Sequence, residues 1–150
     1  MIQELVNLYF VGHLGNAAKL AAVGLGNAIQ NMIGISIIVG MNGALNSLVS
    51  QAGGAGNLDL CIGYLHRGKI VMTICFIPIS LLILNSKQIL LLIGQDPQVA
   101  AYAHTYNIYY LPAVYLYGLV DAERRFLNCL KRNFVTLMVQ SIGTLFHVFA

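Results

Sequence analysis

An all-α polytopic membrane helix bundle is predicted by three features of this 150-residue chain. Apolar residues make up 58% of it and charged residues only 9%, whereas a water-covered domain carries roughly a quarter charged residues. The thirteen charges are bunched, leaving charge-free windows at 5–18, 20–58, 70–86, 97–120 and 133–150. Period-two alternation, the mark of a membrane β-barrel, is absent, and lipid leaves no water to satisfy an open sheet edge. A helix rising ~1.5 Å per residue needs about 20 mainly apolar residues to cross the ~30 Å hydrocarbon layer, which the later windows supply or nearly supply.

The segment 2–12 is too short to span alone and reads as the last turns of a longer helix, followed by a glycine-permitted turn at Val11–Asn16. A second helix is expected from 17 or 18 to about Ala52. It holds the small-residue row Ser36, Gly40, Ala44 and the pair Ala22, Gly26, spacings that allow close helix contact in lipid. At 100° per residue Asn27, Asn31, Asn42 and Asn46 share a stripe with Gly34, which should face protein or water.

Gln51–Asn57 breaks that helix, and a polar connector leads to a third helix at about 64–84, with Pro78 as a kink. Asn85–Lys87 offers an N-cap for a short amphipathic helix to Ile93, and Gly94-Gln95-Asp96-Pro97 pairs a terminal glycine with an Asp cap and Pro at the first helical position. The fourth helix runs from there to about Val120, Asp121–Asn133 reads as a charged connector, and the fifth helix begins near Phe134. The abrupt start and the end in mid-window read as part of a longer chain. With connectors on alternating sides, Arg67, Lys69, Arg124, Arg125, Lys131 and Arg132 oppose Lys19 and Lys87, which puts the six on the cytoplasmic side.

The net charge of +3 therefore reports membrane orientation, and no nucleic-acid partner is expected. Cys61, Cys75 and Cys129 are far apart and without a C-x-x-C pair, and His13, His66, His104 and His147 have no helical-spacing partner among themselves, so neither a metal nor another cofactor is implied. Gly63–Lys69 matches seven positions of a phosphate-binding loop, but Ile70 replaces the hydroxyl and no strand precedes it. Gly24-Leu25-Gly26 has Ile29 where a dinucleotide fingerprint needs its third glycine. No nucleophile–base or carboxylate pair converges, so an enzyme is not expected.

Glu4 and Asn7 share a face of the first helix at membrane depth, where an ionisable group is paired, buried or coupled to cation or proton movement. Six tyrosines crowd the fourth helix. Aromatic-belt and packing roles suit them, and Tyr102, Tyr106 and Tyr109 also have the spacing to line a cavity that holds organic cations through cation–π attraction.

Four runs, Phe-Val-Gly-His-Leu-Gly (10–15), Leu-Val-Ser-Gln-Ala-Gly-Gly-Ala-Gly (48–56), Ile-Gly-Gln-Asp-Pro (93–97) and Arg-Arg-Phe-Leu-Asn (124–128), in this order and spacing, resemble the multidrug and toxic compound extrusion (MATE) family in its eukaryotic form. The resemblance implies a secondary antiporter of about twelve helices in two lobes, exporting organic cations, drugs or metabolites in exchange for H⁺ or Na⁺ through a cavity of alternating access. Residues 1–150 then form a partial N-lobe, from the end of helix 1 into helix 5, multi-pass in a plasma or vacuolar/vesicular membrane. Many bacterial relatives hold an ion-binding Asp where this chain has Asn7, and eukaryotic members place coupling glutamates in the C-lobe. The pathway candidates are Glu4, Asn7, Asn31, Asn42, Gln51, Tyr106 and Tyr109. A non-transporting membrane fragment, acting at most through helix association, is the alternative.

Overall fold

The computed structural model describes residues 12, 17–131 and 133–149; Glu4, Asn7 and the turn expected after Val11 lie outside them, except at Gly12. Helices occupy nearly all of the described chain: α1 (Ala17–Ile29), a π-helical segment (Gln30–Ile35), α2 (Ser36–Gly54), α3 (Leu58–Leu84), α4 (Ser86–Leu92), α5 (Pro97–Cys129) and α6 (Asn133–Phe149). The all-α expectation holds. Among the described residues two stretches are long and apolar enough to cross a membrane, Ala18–Gly54 and Leu58–Leu84, at mean hydropathies of 1.7 and 1.9. Only 28% and 17% of their most apolar windows is buried within the chain, the reverse of a soluble core helix. On α3, Ile70, Ile74, Ile77 and Leu81 all point outward, as suits a lipid solvent.

The breaks follow local chemistry. Gly56 (φ +73°) and Gly94 (φ +84°) take the left-handed conformation that side chains disfavour. Each closes a Schellman pair: Asn57 N–H donates to Ala52 O and Gly56 N–H to Gly53 O, as Gln95 does to Leu90 and Gly94 to Leu91. Asn57 then caps α3, its Oδ1 accepting from Leu60 N–H at 3.0 Å. Asp96 Oδ1 caps α5 through Gln98 and Val99 N–H.

Several expectations are corrected. α3 begins at Leu58, six residues before Tyr64, because Asn57 is itself the cap. Asn85 does not cap α4 with its side chain; its Nδ2 donates backward to Leu81 O at 2.8 Å. The connector expected over Asp121–Asn133 is helix as far as Cys129. Residues 121–129 contain no Gly or Pro, and Ala, Glu, Arg and Leu favour helix. The turn forms only at 130–131, where Lys131 takes φ +58°. The row Ser36, Gly40, Ala44 is exposed, and a Cβ on Gly40 would meet nothing within 4 Å, so it has no packing partner among the described residues.

The described residues fall into two compact units, one from 1–36 with 77–114, the other from 37–76 with 115–150. In the first, Ala22, Leu90, Ala100 and Ala103 form a core with Leu25, Ile29 and Val99 against it; the alanines of α1 and α5 leave room for Leu90 of α4. In the second, Leu45, Val49, Ala52, Cys61, Leu65 and Ala122 form the core, flanked by Tyr64, Phe126 and Cys129. Within the first unit the buried face of the second predicted helix steps by four: Ala22, Gly26, Gln30, Gly34. An α-helix would carry these positions ~120° around its axis over twelve residues; the wider π winding beginning at Gln30 cuts that drift.

Candidate pathway residues

Among the described residues each unit buries a polar cluster for which small residues leave room. In the first unit, Gln30 and Asn107 are 1% and 0% exposed. Gln30 Nε2 donates to Asn107 O at 3.2 Å and to its Oδ1 at 3.3 Å. Gln30 Oε1 and Asn107 Nδ2 have no hydrogen-bond partner among the described residues. Beside them, the Tyr106 hydroxyl donates to Asn27 Oδ1 at 2.8 Å, and its ring stacks on Tyr110 at 5.7 Å between centroids. Gly26 makes this arrangement possible, since a Cβ there would lie 2.6 Å from Tyr106 Cδ1 and 3.1 Å from Asn107 Oδ1. Nearby, buried Ser86 pairs its hydroxyl with His104 Nδ1 at 3.2 Å.

In the second unit Asn42, 2% exposed, donates from Nδ2 to Gly118 O at 3.1 Å and to Asp121 Oδ2 at 3.0 Å. Asp121 also accepts from Arg124 Nη2 and, at 2.8 Å, from Arg125 Nε. It follows directly on the charge-free window 97–120, outside the apolar span. Burial pushes its carboxyl up, but hydrogen bonds from Arg125, Asn42 and Arg124 outweigh that and hold it below the ordinary carboxylate range. Gly118 permits the approach: a Cβ there would sit 2.9 Å from Ile38 Cγ2 and 3.0 Å from Met72 Sδ. An exposed pair, Lys69 Nζ to Glu123 Oε1 at 2.6 Å, joins α3 to α5. Cys129 Sγ reaches Asn46 Oδ1 at 3.2 Å and Ser50 Oγ at 3.1 Å.

Of the residues singled out in the sequence, Asn42 and Tyr106 are thus bound into clusters. Asn31 is exposed, its carbonyl accepting from Ser36 Oγ at 2.6 Å. Gln51 is exposed, and so is Tyr109, at 80%. The asparagine stripe is therefore divided, with Asn42 inside, Asn27 and Asn46 half-buried and Asn31 outside. The packed face runs through Ala22, Gly26, Gln30 and Gly34, and Asn31 lies ~100° round from Gln30. Gln30, Asn107 and Asp121 were not foreseen. A glutamine and an asparagine in otherwise apolar stretches are the signal that was there to be read for the first two.

Comparison with known proteins bears on the whole length, for the MatE family model matches residues 1–150. The chain belongs to the MatE family. Protein DETOXIFICATION 17 of Arabidopsis thaliana is 31% identical over 97% of the chain and 30% of that protein. Protein DETOXIFICATION 16 of the same plant is 29% identical with the same coverages. Multidrug and toxin extrusion protein 1 of Rattus norvegicus is 39% identical over 76% of the chain and 20% of that protein. The crystal structure of the eukaryotic MATE transporter AtDTX14 superposes with a TM-score of 0.80 at 26% identity, over 92% of this chain and 32% of that one. The eukaryotic MATE resemblance and the helical membrane fold are thereby established, and this MatE chain spans 30% or less of the curated relatives named.

Proposed function

We propose that this chain is the N-lobe portion, from the end of helix 1 into helix 5, of a secondary antiporter that exports organic cations, drugs or metabolites in exchange for H⁺ or Na⁺. The observation that carries the reading is the family match over all 150 residues. The names of the relatives, detoxification and multidrug and toxin extrusion proteins, suggest the substrate class, and the membrane is the plasma or the vacuolar/vesicular membrane. The exposed Asn31 and Tyr109 offer an amide and a phenol face to a cavity shared with further helices, which supports their place on the pathway. Asn42 and Tyr106, tied to Asp121 and Asn27, shape the wall behind. Glu4, Asn7 and Gln51 complete the proposed pathway.

Alternating access requires two units moving about a shared site, so residues 1–150 alone should insert in membranes without driving efflux. Asn7 can hydrogen-bond but cannot exchange a proton near neutral pH. The test is purified chain in liposomes with an imposed pH gradient and a fluorescent organic cation, beside a reading frame extended to the length of the relatives. Gradient-driven uptake by the extended protein alone supports the reading. Uptake by the 150-residue chain that disappears in Glu4→Gln overturns the division of labour, and no uptake by either favours the non-transporting alternative.

A further inference from the structure

We propose that the groove between the end of α5 and α6 holds one anionic phospholipid of the adjoining leaflet, its phosphate against Arg124. The groove is open, of about 440 Å³, and lined by Arg124, Asn128, Thr136, Leu137 and Gln140, with no acidic side chain among them. Its charge follows from the neighbouring ion pairs. Arg124 and Arg125 share the single carboxylate of Asp121, and the nearest acid in sequence, Glu123, is taken by Lys69. One guanidinium charge is therefore left over. Arg124, 38% exposed at its side chain, is the member of the pair that lines the groove.

The same imbalance holds at larger scale. Among the described residues the unit made of 37–76 and 115–150 carries five basic and three acidic residues, while the other carries two basic and one acidic. Basic surface at a membrane boundary attracts anionic headgroups, and a guanidinium offers a planar fork suited to phosphate oxygens.

Thr136 supplies a second, independent observation. Its hydroxyl is buried and has no hydrogen-bond partner among the described residues, a costly condition that an acceptor oxygen in the groove relieves. Asn128 adds a neutral amide donor. Leu137, 63% exposed, gives the groove an apolar wall along which an acyl chain can lie. A free inorganic anion would use the donors but gain nothing from that wall, which is why the occupant is a membrane lipid.

The test is native mass spectrometry of the full 150-residue chain, titrated with phosphatidylglycerol and, separately, phosphatidylcholine of the same acyl chains. One phosphatidylglycerol should be retained with about tenfold preference. Arg124→Gln should remove that preference, and Thr136→Val, which leaves the Asp121 cluster intact, should weaken retention about threefold. Lys87→Gln, which removes the same charge in the other unit, should leave it unchanged. Equal loss in Arg124→Gln and Lys87→Gln, equal retention of phosphatidylcholine, wild-type retention by Thr136→Val, or displacement by millimolar glycerophosphate would each overturn the proposal.

Discussion

Replacing Gly26 by alanine tests whether Tyr106 is wedged against α1. The added Cβ would lie 2.6 Å from Tyr106 Cδ1 and 3.3 Å from Cε1, so the ring or the helix must retreat by roughly 1 Å to reach ordinary contact. The ring has little freedom. Its hydroxyl is bound to Asn27, its face is stacked on Tyr110, and Asn107 beside it holds Gln30. Overpacking of this kind costs about 1–3 kcal/mol, and loosening the Asn27 bond adds about 1 kcal/mol. Alanine returns about 1 kcal/mol of helix propensity, leaving a net loss of about 1–3 kcal/mol. Thermal unfolding in detergent, read by a thiol-reactive dye on buried Cys61, should show a lower midpoint for Gly26→Ala and none of that loss for Gly40→Ala. In a Tyr106→Leu background the added cost of Gly26→Ala should fall below about 0.5 kcal/mol. A midpoint at or above wild type, or the same cost with and without the ring, would refute the wedge.

Three further outcomes are expected. Asn42→Ala should destabilise by about 1–3 kcal/mol by stripping a bond from buried Asp121, whereas Asn31→Ala should stay within about 0.5 kcal/mol; equal midpoints for the two variants would remove the distinction. The folded-state carboxyl of Asp121 lies below its ordinary value of 3.8, so its contribution is fully present above that value and is lost as pH falls through the depressed one. The wild-type minus Asp121→Asn midpoint difference should therefore be flat from pH 8 to 5 and shrink only in stronger acid; a fall between pH 7 and 6 would contradict this. With Cys61, Cys75 and Cys129 replaced by Ala, a cysteine at 96 should label only from outside or from the lumen and one at 131 only from the cytoplasm, as the basic bias requires.

Much of the helix layout could be read from residues alone because the signals are local. Gly94, Asp96 and Pro97 mark an end and a start with their own backbone chemistry, and the charge-free windows mark the spans. The errors arose where a local pattern has two outcomes. The charge run 121–125 reads as a solvated connector, yet its carboxylate and guanidinia pair at three- and four-residue spacing and so continue the helix. Small residues say only that a backbone can be approached. Gly26 and Gly118 meet partners while Gly40 meets none among the described residues, and that depends on positions some eighty residues away. The amide pair Gln30–Asn107, 77 residues apart, is hidden for the same reason.

The seat of Met72 has a consequence in redox chemistry. Its sulfur packs where Gly118 has no side chain, and the residue is 2% exposed, so a sulfoxide oxygen there would have to displace a packed neighbour. Peroxide must wait for that contact to open before it reaches the thioether, and oxidation then blocks closure. Met32, 75% exposed, reacts without waiting. The ratio of the two rates is a clock, carried by the wild-type chain, for how often its helices part.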